Sequence, residues 1–495
     1  MMRQGNRKGS ITVFLVLTLT ASFSVLFGLL EAGRVSALHA NAEMSTAQIR
    51  DGVLASYQRN LWKQYHLMFW EAEEEDFPQM EGIKSLQQSM IDGNRIAVTG
   101  KKNNYYLLPV ELAEVGVVSY QLATDRGGEA FRAEAARMMK RVLAEESVET
   151  LKNWLEQSGE EPSEGSLFLL EQKAQEALDG MQMKPEAEDT AETGNSSAAM
   201  PPANYVEVQE NPLDWYVRNR QKDLLSLLMG SEVSAKSMDL MDTASRRSLQ
   251  KGNLQDDYGF CAADKVLFVA YLCSFFQNAS DGSRNSEHPL DYELEYIIGG
   301  KGSDRANLRA AINRIVLFRE AANLLYLEKN PQKQSEISAV AASLAFLVAQ
   351  PQLEPLIRQG LLAAWAYAES LSDVRILLGG GKVSPIKVES QWHTDLKNLS
   401  DTFARTKPED QKEGFSYSNY LLLVMWAMKN DTLSLRAIDL VEKNLNLRMD
   451  HMISQVNCTY RYEASPLFWN FVTLGNASPG TYHFQDTGTI CFIPE

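Results

Sequence analysis

Hydrophobic and polar positions follow four different rhythms along this chain. From Ile11 to Leu30 there is no charge, and thirteen of the twenty residues are Leu, Ile, Phe or Val. A helix rises about 1.5 Å per residue, so twenty residues span about 30 Å, the thickness of a bilayer's hydrocarbon core. Each large aliphatic or aromatic residue favours insertion by roughly 0.3 to 0.6 kcal/mol, or about 4 to 8 kcal/mol for the run. The pattern predicts a transmembrane helix over residues 10–31, with Ile11, Phe14, Leu17, Phe23, Leu26 and Leu30 as its anchoring residues. A removable signal has a shorter apolar core, about 7 to 15 residues, with small-residue cleavage close behind. Here the nearest A-x-A pattern, Ala40 to Ala42, lies well past the run, so the reading is a retained anchor.

The second rhythm begins where the first stops. Ile49, Val53, Tyr57 and Leu61 recur every four residues, with no proline through Trp70. That spacing predicts one long helix continuing out of the membrane to the acidic cluster Glu71–Asp76. Between Arg95 and Thr124, "RIAVTG" and "NYYLLPVELAEVGVVSYQLA" are β-branched and aromatic and predict short strands. "GGEAFRAEAARMMKRVLAEESVETLKNWL" returns to helical spacing, closing a small α+β unit over residues 32–158.

Residues 159–212 form the third texture, rich in Glu, Ala, Pro and Ser, apart from a short helix predicted in "SLFLLEQKAQEALDGM". The stretch has too few large apolar residues to order itself and reads as a linker. Residues 213–495 then carry one apolar helical stripe after another, including Leu308, Ile312, Ile315, Phe318 and Ala322. Gly299, Gly300 and Gly379 to Gly381 fall at helix ends, where left-handed caps favour glycine. The Thr/Tyr/Phe-rich tail from Cys458 suits strands. The fold class is therefore mainly α: a transmembrane helix extending into a small α+β unit, then a larger helical domain with a short β-rich C-terminal tail.

Charge fixes the orientation. Arg3, Arg7 and Lys8 precede the anchor and no acid occurs before Glu31. Positive flanks stay inside, so residues 1–9 are expected in the cytosol and the bulk of the chain outside the cell membrane. The formal net charge is −16; the first thirty residues hold three cations and no acid, which leaves −19 on the rest. Nucleic acid and anionic lipid headgroups are poor partners for such a surface, which leaves the apolar bilayer as the expected lipid contact.

Candidate chemistry is sparse. Cys261 and Cys273 sit on one predicted helix, about 18 Å apart, beyond bridging range. The four cysteines, including Cys458 and Cys491, can otherwise form two disulfides or remain buried thiols. The six histidines, His39, His66, His288, His393, His451 and His483, show no metal-binding spacing. "LLGGGKVSP" lacks the Ser or Thr that a phosphate loop needs after its lysine, so it reads as a helix cap and turn. Asp291, Glu293 and Glu295 alternate in "LDYELEYIIGG", and Glu369 stands one helical turn before Asp373. Paired carboxylates can divide acid and base roles in a wall hydrolase, yet no aromatic cleft signature accompanies them. No catalytic residue, metal or cofactor is expected, and oligomeric state stays open.

Two resemblances follow from these residues. "GSITVFLVLTL" with "LEAGRVSALHANAEMSTAQIRDGVLASY" is similar to the amino-terminal module of TadE and TadG-like pilus proteins. "NPLDWYVRNRQKDLLSLLMGSEVSAKSMD", "LDYELEYIIGGKGSDRANLRAAINRIVLFREAANLLYL", "WAYAESLSDVRILLGGGKV" and "YSNYLLLVMWAM" resemble an uncharacterised membrane family of Gram-positive anaerobes encoded beside Tad (Flp) pilus genes. The resemblance implies a non-catalytic accessory of a surface pilus or secretion apparatus, with pilus or secretion membrane proteins as partners. A prepilin site would place an acid five residues after Gly9, where Phe14 stands, and no D-x-S-x-S adhesion pattern occurs. An exterior module binding wall polysaccharide or another surface is the alternative, and a hydrolase using Glu369 and Asp373 the third.

Overall fold

Helix α1, Lys8–Leu54, runs 47 residues without a break and joins the apolar run to the first folded unit. The computed structural model describes residues 8–73, 82–89, 108, 110–143, 179, 205–229, 233–254, 258–282, 286–401, 414–467 and 480–492. The fold is mainly α, with this long apolar helix at the N-terminus and a small antiparallel sheet near the C-terminus. Contacts divide the chain into two units, one of residues 1–134, 248–259 and 447–495, the other of 135–247 and 260–446.

In the first unit, the outer half of α1 buries Leu38, Ala42, Thr46, Ile49 and Val53, successive positions three or four residues apart on one face. Against that face lies a sheet centred on β3 (Met452–Ala464). β3 pairs antiparallel with β2 (Glu111–Leu122), β4 (Tyr482–Cys491) and the two-residue β1 (Trp70–Glu71). Alternate residues of β3, Val456, Cys458, Tyr460, Tyr462 and Ala464, point into the core. The intervening Gln455, Asn457, Thr459, Arg461 and Glu463 form the polar face of a half-buried antiparallel sheet. Thr46 Oγ1 and the Tyr462 hydroxyl, 3.0 Å apart, tie helix to sheet. Fully burying each of Leu38, Ile49 and Val53 contributes roughly 1.5 to 3 kcal/mol.

Several expectations change here. The long helix predicted to reach Glu71 stops at Leu54; a short α2 (Arg59–Tyr65) follows, capped by the Gln58 side chain and ended by His66 at φ 55°. The four-residue rhythm crosses the break because Leu61 is buried from α2 just as Val53 is from α1. The strands foreseen in the tail exist, but they complete the sheet begun by β2, so the chain's last segment belongs with its first unit. A strand in "RIAVTG", the helix in "SLFLLEQKAQEALDGM" and most of the 159–212 linker lie outside the described residues. Residues 205–210 are described, and Val206 N donates to Ser343 Oγ at 2.9 Å. The helix predicted from "GGEAF" follows three left-handed residues, Arg126, Gly127 and Gly128, in α3 (Asp125–Val142). All four cysteines are free thiols.

The second unit is helical. It comprises α4 (Pro212–Arg220), α5 (Leu224–Leu228), α6 (Ala262–Phe275), α7 (Glu293–Gly299), α8 (Asp304–Lys329), α9 (Pro331–Leu347), α10 (Glu354–Leu378), α11 (Tyr417–Ala427) and α12 (Asn430–Leu445). α10 is its central element, buried on every side from Ala363 to Val374 and packed by α4, α8 and α9. Such a helix is apolar all round, and this one departs from that rule at Glu369, Ser370, Ser372 and Asp373.

Candidate functional site

Among the places where the described structure buries charged groups, two bear most on the candidates read from the sequence. The first is the point on α1 where its apolar run meets its core-forming half. Ile11 (64 % exposed), Phe14, Leu17, Phe23, Leu26 and Leu30 are all about half exposed or more. One residue later Glu31 is fully buried and Arg34 nearly so. Arg34 Nη1 donates to Glu31 Oε1 at 3.1 Å, and Arg34 Nη2 to the Ser465 carbonyl at 2.9 Å. The Leu467 amide donates to Glu31 Oε1 at 3.1 Å, and the Tyr482 hydroxyl faces the same carboxylate. The residues that end β3 and begin β4 thus enclose α1 where its apolar run stops. Arg3 and Arg7 lie outside the described residues, and Lys8 is the first residue of α1.

The second place is in the core of the helical unit, where the sequence's carboxylate pair does converge. Glu369 and Asp373, on successive turns of α10, have no exposed surface. The Lys387 ammonium reaches in from the following loop to contact Glu369, and lies 2.5 Å from Asp373 Oδ1. Arg319 of α8, itself fully buried, donates from Nε to Asp373 Oδ2 at 2.9 Å, and Asn323 Nδ2 donates to the same oxygen at 3.1 Å. Glu369 Oε2 accepts from the Thr394 amide (2.9 Å) and hydroxyl (2.7 Å), and Oε1 from the His393 amide (3.0 Å). Two cations therefore balance two anions. Burial by itself would push Glu369 up, but the Lys387 charge and the hydrogen bonds from His393 and Lys387 hold it well below the ordinary carboxylate range.

Glu369, Asp373 and His393 bring potential metal-ligand atoms within 4.8 Å of one another. Lys387 already sets a positive charge against both carboxylates, so the donor set is neutralised from within the chain. Both carboxylates are shut off from solvent. Sequence reasoning found the two acids and missed Arg319, Lys387, Asn323 and Thr394, which come from three other segments. No sequence signal marked Lys387: the structure buries it between Ile386 and Val388, which are 85 % and 55 % exposed, the reverse of the normal order.

The alternating acids before α8 serve the backbone. Glu293 Oε2 accepts from the Gln277 amide (3.0 Å), and Glu295 Oε1 accepts from the Ala279 amide and the Tyr417 hydroxyl, each at 2.9 Å. Asp304 accepts from the Asp291 and Tyr292 amides at 2.9 and 3.1 Å and from Ser234 Oγ at 2.7 Å. Asp291 itself pairs with Lys236 at 2.8 Å. Asn307 clamps Lys301 through both its amide and its carbonyl. Burial raises Glu295 to about 7, against the opposing hydrogen bonds. Gly300 takes the predicted left-handed cap at φ 62°, and Arg436 donates to the Ile297 and Ile298 carbonyls that end α7. Beside this turn is an open basic groove lined by Lys301, Arg305 and Arg309, where Arg305 and Arg309 pair with Asp223.

Comparison with known proteins places the chain beside a family without an assigned role. A family described as "Family of unknown function (DUF5702)" matches residues 203–465, a span that holds the buried charge network, the α7–α8 turn and β3. No curated protein and no solved structure matches the chain.

Proposed function

The chain belongs to DUF5702, a family of unknown function, and from that premise we propose that it is a single-pass, membrane-anchored, non-catalytic component of a Tad-like surface pilus or secretion apparatus. The observation that supports the anchor is the continuity of α1. The same helix is bare along its apolar run and, from Glu31 onward, forms part of the first unit's core. Cleavage at Ala40–Ala42 would remove Leu38 and the Glu31–Arg34 pair from a packed face, which a disposable signal would not need to supply. With Arg3, Arg7 and Lys8 holding the N-terminus in the cytosol, both folded units stand outside the membrane.

The scaffold part of the proposal draws on the pilus-protein resemblance of the N-terminal stretch and on the use of buried acids as backbone clamps. Glu369 and Asp373, enclosed and ion-paired, argue against the hydrolase alternative. The test is crosslinking of the intact protein in its native membrane, with mass spectrometry of what is captured. Pilins or membrane subunits of a pilus motor are the expected partners. Capture of wall glycan alone would replace this reading with the surface-binding module.

A further inference from the structure

Glu31 is one residue beyond the apolar run, at the level where the hydrocarbon of a bilayer spanned by residues 11–30 ends. The turn leaving β3 is fastened to that level by two hydrogen bonds, from Arg34 to the Ser465 carbonyl and from the Leu467 amide to Glu31. Beside it Glu31 has no exposed surface and Arg34 is 8 % exposed. Leu467, a large aliphatic residue of the same segment, is half exposed. No Asp, Glu, Lys or Arg occurs between Glu463 and Asp486, and the sequence continues from Leu467 into Phe468 and Trp469. A buried ion pair beside a half-exposed aliphatic residue, at the depth where water gives way to lipid, is the arrangement of an interfacial contact.

We propose that the turn at Ser465–Leu467 is a second lipid-contacting element, seated on the outer leaflet beside the anchor, so that the first unit is held to the bilayer at two points. This rests on the anchor reading, and α1 itself supplies a depth scale that separates the two claims. Phe27 lies within the apolar run, Glu31 marks its end, and Met44, 57 % exposed, lies about 20 Å farther along the same helix.

Benzoylphenylalanine substituted singly for Phe27, Leu467 and Met44 in the full-length chain, reconstituted in liposomes of phosphatidylethanolamine and phosphatidylglycerol and irradiated, reports what each position touches. Lipid adducts at positions 27 and 467, with none above background at 44, are the expected result. Adducts at 27 without any at 467, or a protein crosslink in place of lipid at 467, overturn the second contact and leave the anchor intact. Loss of lipid adducts at 27 as well overturns the anchor, and with it this inference.

Discussion

At the scale of single residues, the chain's unusual chemistry is defensive: buried acids are neutralised or set to hold backbone amides. Lys387 is the test of the first kind. Replacing it with Met leaves Glu369 and Asp373 facing each other in the core. Removing one partner of a buried ion pair costs about 3 to 5 kcal/mol. Denaturant unfolding of Lys387→Met should show a loss of that order, and a change below about 1 kcal/mol would mean the network is not ionised as described. The two buried glutamates should give opposite pH signatures. Glu369 is depressed in the folded state, so its contribution is present above the unfolded value and is lost as pH falls below about 4. Glu295, raised to about 7, keeps a proton that the unfolded chain releases near pH 4.3. Stability should therefore decline as pH rises from about 4.3 to 7, by about 4 kcal/mol at most. Glu295→Gln should flatten that slope in thermal melts taken across the window; an unchanged slope would assign it to other groups.

At the scale of elements, legibility depended on whether a pattern was local. The apolar run, the outer face of α1, the helical stripe of α8 and the glycine at the end of α7 could all be read from neighbours in sequence. The stop at Leu54 could not, because Gln58 caps α2 while Gln58 N donates to the carbonyl of Phe69, eleven residues on. Nor could the pairing of β2 with β3, more than three hundred residues apart, since period-2 alternation marks a strand without naming its partner. The same limit applied to the charge network: spacing placed Glu369 above Asp373, whereas Arg319 and Lys387 meet them only through tertiary packing. Two elements carry further tests. Ile49→Ala should destabilise the first unit by about 2 to 5 kcal/mol in denaturant unfolding, because Ile49 is fully buried in the core shared by α1 and the sheet. An unaffected variant would mean that the outer half of α1 is not part of that core. Gly300→Ala should cost about 1 to 3 kcal/mol, since φ is 62° there and an added Cβ would meet the Arg436 guanidinium. A neutral result would show that the α7–α8 turn can relax.

For the whole molecule, the organising fact is that the chain's first and last segments build one unit, while the helical unit arises between them. Family membership covers residues 203–465, so it includes β3 but not helix α1, on which β3 packs. The central claim is that α1 is a permanent, doubly used helix, membrane span at one end and protein core at the other. The most direct measurement is the intact mass and N-terminal peptide of the mature protein recovered from cells. The account predicts a chain in the membrane fraction that still carries residues 11–30. A mature chain released from the membrane, beginning after Leu30, would contradict it.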